Sequence, residues 1–259
     1  MPWAMSDDSQ HIFYEVHGQG PTLVFVPGYM GISDIWHEQV ERLSAAFRCV
    51  VLDARGYGRS DKPLDLNMYS VEQSAKDVAV VMDAAGIDQP AVLVGHSMGG
   101  NIISSLYLQY PERVAGLVYI GTHLSGAQLV SLGLDVEALM SAVTKPADRV
   151  AFYISFGLSP SIAMEAAKWP VHSMLGNAQA LINSTVGERY SDVRAPALII
   201  HGEKDVPAPM AVCTPTLLEA LPSVTLEVLA NVNHFPAVEA PGPVSLLIGN
   251  FARANTCAK

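Results

Sequence analysis

Short continuous runs of apolar, mostly β-branched residues alternate along the chain with stretches whose apolar positions recur every three or four residues. Thr22-Leu-Val-Phe-Val26, Cys49-Val-Val-Leu-Asp53, Ala91-Val-Leu-Val94, Val114 to Ile120 and Ala197-Leu-Ile-Ile200 are such runs, and Val224 to Leu229 is a weaker one. Continuous runs of this length predict strands covered on both faces, as in a parallel sheet. His11 to Val16 alternates instead, which suits a strand with one face in solvent. Asp34 to Phe47, Ser70 to Ala85, Ser97 to Tyr110, Met210 to Leu221 and Pro243 to Ala254 read as helices. In the second, Val71, Ala75, Val78 and Met82 fall on one face, and Gly86 is placed to end it. The alternation predicts an α/β fold with a doubly wound, mostly parallel sheet.

One region breaks the pattern. From His123 to Tyr190 no strand-like run appears, only helical and irregular sequence rich in Leu, Met, Ala and aromatics. It reads as a helical cap, 123–190, inserted into a core made of 1–122 and 191–259.

Composition narrows the possibilities. The 259 residues are 50% hydrophobic and carry 15 Lys plus Arg against 25 Asp plus Glu, a formal net charge of −10. That excess repels phosphate backbones and acidic membrane faces, so nucleic acid and membrane are not expected as partners. Cys49, Cys213 and Cys257 are scattered, with no CxxC or Cys/His spacing, so neither a disulfide framework nor a metal site is predicted. The first ten residues lack the basic and apolar segments of a signal peptide, and no stretch reaches the ~18 apolar residues of a membrane span. A cytoplasmic protein acting on a small molecule, with no cofactor, is the expectation.

The strongest chemical signal is Val94-Gly95-His96-Ser97-Met98-Gly99-Gly100, lying between a buried-strand run and a helical pattern. A G-x-S-x-G elbow needs that context. Its serine sits in a strained conformation on a tight turn, so its neighbours must be small for strand and helix to approach. Its hydroxyl lies at a helix N-terminus, where N–H groups point at developing negative charge.

Further segments match in order: Val26-Pro-Gly-Tyr-Met-Gly31 with Trp36, Asp53-Ala-Arg-Gly-Tyr-Gly-Arg-Ser60, Tyr110-Pro-Glu-Arg-Val-Ala-Gly-Leu-Val118, His201-Gly-Glu-Lys-Asp205 and Val232-Asn-His234-Phe-Pro236. With the elbow, they resemble the α/β-hydrolase superfamily, in its capped serine esterase and lactonase branch, over nearly the whole chain. The resemblance implies an eight-stranded type of sheet, Ser97 as nucleophile, His234 as general base and Asp205, rather than Glu203, as the acid behind it. It also implies an oxyanion hole from the backbone N–H groups of Met98 and Tyr29. Pro27 stands where relatives usually carry histidine; proline removes only its own N–H, so the Tyr29 donor is untouched.

The other polar residues receive plainer readings. Asp53 and Arg55 precede Gly56 and Gly58, which suggest a shaped turn that the charges support. His96 is a packing neighbour of the serine, and His123 and His172 are surface or hydrogen-bonded residues. Lys145, Arg149 and Lys168 are spaced like solvated charges on the cap. Met30 and Trp169 are the expected pocket residues. Serine rather than aspartate at the elbow points to attack on an ester, lactone or thioester carbonyl through an acyl-enzyme. Carbon–carbon hydrolysis or lyase chemistry with the same triad, and a small-molecule receptor on the same fold, are the alternatives.

Overall fold

A computed structural model describes residues 2–256. Eight strands form one sheet: β1 (Trp3–Met5), β2 (His11–His17), β3 (Thr22–Val26), β4 (Arg48–Leu52), β5 (Ala91–His96), β6 (Val114–Ile120), β7 (Ala197–Gly202) and β8 (Val224–Leu229). Their spatial order is β1-β2-β4-β3-β5-β6-β7-β8. β2 runs antiparallel to β1 and β4, and the six strands from β4 to β8 are mutually parallel.

The continuous apolar runs of β3 to β7 form strands because both of their faces are buried, whereas the weaker run of β8, at the sheet edge, stays half exposed. Val24, Val26, Leu93, Leu117, Tyr119 and Ile199 face one core. The residues next to them, Phe25, Val92, Val94, Val118, Ile120 and Ile200, face the other. The first core is closed by α2 (Val71–Ala84) and α3 (Met98–Gln109), and the second by α1 (His37–Leu43) and α11 (Pro241–Thr256). α2 begins where Ser70 accepts the Gln73 N–H as N-cap, and Gly86 follows its end at φ +66°. α9 (Met210–Ala220) and the short α10 (Pro236–Glu239) complete the core.

Two elements differ from expectation. β1 is three residues at the sheet margin, too short to show a period; Trp3 meets Phe13 edge-on there. The helix expected over 34–47 is a 3-10 turn, Ser33–Trp36, followed by α1 alone. Asp53 draws that entry inward by accepting both the N–H and the hydroxyl of Ser33.

Between β6 and β7 the chain makes no strand but five α-helices, α4 (Gly126–Ser131), α5 (Val136–Ser141), α6 (Pro146–Ser155), α7 (Pro160–Ala166) and α8 (Val171–Ile182), followed by a 3-10 helix, Val186–Asp192. α8 is tied to the core by Asn177, which donates to the Arg55 carbonyl, and by a Ser173–Tyr69 hydroxyl pair. Arg149, expected as a solvated charge, is instead only 4% exposed. It donates to the carbonyls of Val143, Ala167 and Trp169, which follow α5 and α7. Helix C-termini carry partial negative charge, so they hold a buried guanidinium without an acid. The sequence shows no partner because the partners are backbone.

Cys49 and Cys213 are buried free thiols; Cys257 lies outside the described residues. Among the described residues, no helix is long and apolar enough to cross a membrane and no cluster of His, Cys, Asp or Glu could hold a metal ion.

Candidate active site

Five strands deliver their carboxyl-end loops to one edge of the sheet. β3 leads to Tyr29, β5 to Ser97, β6 to His123, β7 to Asp205 and β8 to His234. Strand order reverses beside β3 and β5, the place where open α/β sheets leave a crevice.

Ser97 is the corner between β5 and α3, at φ 53° and ψ −121°. Its N–H donates to the Ile120 carbonyl, and its own carbonyl accepts from Gly100 N–H and the Thr122 hydroxyl. The glycines are steric necessities. A Cβ on Gly95 would run into the Gly99 carbonyl, one on Gly99 into the Val26 carbonyl, and one on Gly28 would lie 2.7 Å from the His96 carbonyl.

His234 Nδ1 lies 2.9 and 3.0 Å from the two Asp205 oxygens. With its proton on Nδ1, donated to that carboxylate, the ring keeps Nε2 as its lone-pair nitrogen. Asp205 also accepts the Ala208 N–H at 2.8 Å and lies 3.4 Å from His201 Nε2, which donates to the Ala208 carbonyl. Burial pushes the Asp205 pKa up, but the charge of His234 and the hydrogen bonds from His201 and His234 outweigh it, so the carboxyl sits well below its usual range. Glu203 points elsewhere and accepts the Asn231 N–H. Ser97 and His234 face one cavity, although no hydrogen bond joins their side chains among the described residues.

Neither the Tyr29 nor the Met98 N–H has a protein acceptor among the described residues. The loop that presents Tyr29 is fixed from the helical insertion: the Tyr153 hydroxyl donates to the Tyr29 carbonyl at 2.9 Å, and the Tyr29 hydroxyl donates to the Met174 carbonyl. His96 packs behind the site as expected. Its Nε2–H donates to the His234 carbonyl, and burial, aided by the His234 charge, pushes its pKa down to about 3, so it stays neutral.

The cavity over Ser97 has a volume of ≈ 50 Å³. Its walls are Leu129, Leu134, Leu139, Phe152, Phe156 and Leu181 of the insertion, facing Pro207, Ala208 and Phe235 of the core. Two expected pocket residues are not there. Met30 and Trp169 line a separate void of ≈ 10 Å³, on the other side of Tyr153 and Phe235, which border both spaces. Met30 belongs to the core beside Ile32 and Ile35, and Trp169 packs on Tyr57. His123 is a further correction: it is 1% exposed, lines the cavity, and its Nε2 has no hydrogen-bond partner. By contrast, Asp53 and Arg55 lie in structural networks, with Ser33 and Arg59 on the first and Asp77 and Asp8 on the second. A larger open groove of ≈ 620 Å³, with Glu15, Asp34 and Glu38 on its walls, holds none of these groups.

Comparison with known proteins supports the same architecture. The family described as "alpha/beta hydrolase fold" matches residues 21–160. The chain is 28% identical to "Putative carbamate hydrolase RutD" of Azorhizobium caulinodans, over 96% of this chain and 97% of that one. It is also 28% identical to a 2-hydroxy-6-oxononadienedioate/2-hydroxy-6-oxononatrienedioate hydrolase of Burkholderia vietnamiensis, over 92% and 85%. Among solved structures, that of Est816, described as an N-acyl homoserine lactone degrading enzyme, superposes with a TM-score of 0.82 at 28% identity, covering 96% of this chain and 100% of that one.

Proposed function

The chain belongs to the alpha/beta hydrolase fold family, and we propose that within it the protein is a serine hydrolase of esters or lactones of small, mostly apolar acids. The observation that carries this reading is Ser97, held at positive φ on a strand-to-helix corner and sharing a cavity with an Asp205-bound histidine. A strained conformation of this kind costs about 1–3 kcal/mol and persists only where its surroundings impose it.

In this mechanism the His234 Nε2 takes the Ser97 proton as the oxygen attacks the substrate carbonyl. The tetrahedral oxyanion is met by the unpaired N–H groups of Tyr29 and Met98. Asp205 fixes the tautomer and balances the imidazolium. His234 then protonates the leaving alcohol, and water, activated by the same nitrogen, releases the acid from Ser97. The helices of the insertion act as a cap. At ≈ 50 Å³ the cavity is far below the ~300–1,000 Å³ of ordinary ligand sites, so substrate entry requires the cap to move.

The wall chemistry favours a neutral acyl group. Among the described residues no Lys or Arg lines the cavity, so a dianionic substrate, such as the relative from Burkholderia vietnamiensis takes by its name, would enter with a buried, unpaired charge. Carbamate attack would use the same groups, as the likeness to RutD invites, but a small polar carbamate gains nothing from nine apolar wall residues. The name given to Est816 makes lactones the first class to try.

The test is intact-mass analysis of wild type and Ser97→Ala after treatment with a small fluorophosphonate. One adduct on wild type, absent from the variant, is expected, followed by turnover of p-nitrophenyl esters and lactones. Absence of an adduct on folded wild type would overturn the proposal and favour a receptor on the same fold. Carbon–carbon cleavage products in place of acid and alcohol would replace ester hydrolysis with that chemistry.

A further inference from the structure

The cavity's polar side chains divide into those already engaged and one that is not. Ser97 and His234 belong to the reaction. The hydroxyls of Tyr29 and Tyr153 donate to the Met174 and Tyr29 carbonyls, and His96 donates to the His234 carbonyl. Among the described residues, and Ser97 aside, His123 is the polar lining residue whose side chain makes no hydrogen bond, and its Nε2 is fully enclosed.

His123 is also rigidly placed. It follows β6 by three residues, and its carbonyl accepts from Asn101 Nδ2 at 3.2 Å. On one side of it lies Thr122, whose hydroxyl donates to the Ser97 carbonyl. These bonds anchor the His123 backbone to the elbow, and burial confines its imidazole. Leaving a buried polar group unpaired opposes folding, so a structural role would favour either a partner or an apolar residue here. Neither is present.

We infer that His123 is a specificity-determining residue that hydrogen-bonds a hydroxyl or amide group on the acyl part of the substrate. This rests on the serine hydrolase reading above. The acyl part is the better candidate because it stays attached to Ser97 through both half-reactions, so a contact to it acts on each. A neutral imidazole offers one donor and one acceptor, and hydroxyl and amide groups can answer either. Burial, with the His234 charge adding to it, pushes the His123 pKa down to about 3, so the ring carries no charge to pair with a carboxylate. The fitting substrate is then an apolar acyl chain interrupted by one neutral polar group near the scissile carbonyl.

The experiment compares p-nitrophenyl hexanoate with its 2-hydroxy and 3-hydroxy analogues in wild type, His123→Leu and His123→Gln. In wild type, kcat/KM for at least one hydroxy ester should exceed that for hexanoate by about tenfold, the worth of one net hydrogen bond. His123→Leu should lose that ratio, whatever its absolute rates, and His123→Gln should restore part of it. A ratio that is the same in wild type and His123→Leu overturns the inference, as does the absence of any preference in wild type.

Binding of hexanamide and its 2- and 3-hydroxy forms to Ser97→Ala, with and without His123→Leu, gives the same ratio by calorimetry without turnover. Discrimination in binding that depends on His123, without esterase activity, would refute the hydrolase proposal and sustain this one. Active esterase with no dependence on His123 would do the reverse.

Discussion

Replacing Ser97 by glycine should make the protein more stable than replacing it by alanine, although on the proposed mechanism neither variant turns over substrate. Ser97 sits at φ 53° and ψ −121°, a region that a Cβ disfavours and glycine enters freely. The strain is about 1–3 kcal/mol. Glycine returns roughly 0.4–1 kcal/mol of that to the unfolded chain as extra conformational freedom. The midpoints leave a net gain of about 1 kcal/mol for Ser97→Gly. Alanine keeps the Cβ and therefore keeps the strain, and both variants lose the hydroxyl, so their difference isolates the backbone term.

For a chain of 259 residues, about 1 kcal/mol corresponds to a rise in Tm of roughly 2–4 °C. Calorimetric unfolding of the two variants in one buffer measures the difference directly. Activity should fall in both by about 10⁴-fold or more. A Ser97→Gly protein no more stable than Ser97→Ala would refute the claim that the elbow stores strain, whatever the kinetics show.

Tyr153→Phe removes the hydroxyl that holds the Tyr29 carbonyl; kcat on a p-nitrophenyl ester should fall about tenfold with little change in KM, and stability by about 1 kcal/mol. Asp205→Asn should lower kcat by about 10³–10⁴-fold because it frees the wrong tautomer, whereas Glu203→Gln should leave it within about threefold, as the Glu203 carboxylate accepts the Asn231 N–H. Gly99→Ala drives a Cβ into the Val26 and Pro27 carbonyls and should cost about 2–3 kcal/mol or more in urea unfolding. His96 and His123 titrate near pH 3 when folded and near 6.5 when unfolded, so the unfolded chain binds the extra protons and stability falls as pH drops below 6.5. Each costs about 2 kcal/mol by pH 5, and His123→Leu should flatten that acid limb in urea titrations.

What the sequence made legible was whatever is written in local pattern. Val114–Ile120 and Val224–Leu229 are strands with the bounds their apolar runs predict; the first is buried in the sheet, whereas the second is a half-exposed edge strand. Asp205 and His234 were legible through the resemblance of the segments that hold them, and they do meet. The short β1 was not, since three residues have no period. Arg149 was misread because its partners are carbonyls at helix ends, which leave no mark in the side-chain sequence. Met30 and Trp169 were assigned to the pocket from polarity and region alone, and only the packing of Tyr153 and Phe235 reveals that a wall stands between them and Ser97. His123 failed for the opposite reason: a histidine's usual partners are easy to suppose, and their absence is visible only in three dimensions.

The same limit applies to the helical insertion, whose sequence suggests a cover and whose contacts imply more. α6 reaches both halves of the site. Tyr153 fixes the loop bearing the Tyr29 N–H, while the Phe156 carbonyl, next along the chain, accepts the His234 N–H at 3.1 Å. Asn233 adds a bond to the Ser155 carbonyl. Any motion of α6 large enough to admit substrate must loosen these three bonds, and its return must remake them. On the proposed mechanism, the oxyanion donor and the base are then both set in final position by closure over a bound substrate. Such closure costs little when an apolar acyl group replaces the leucine and phenylalanine contacts it displaces, and more when it traps water. The apolar lining would thus select substrates twice: once by affinity, and again by how completely each lets the site assemble.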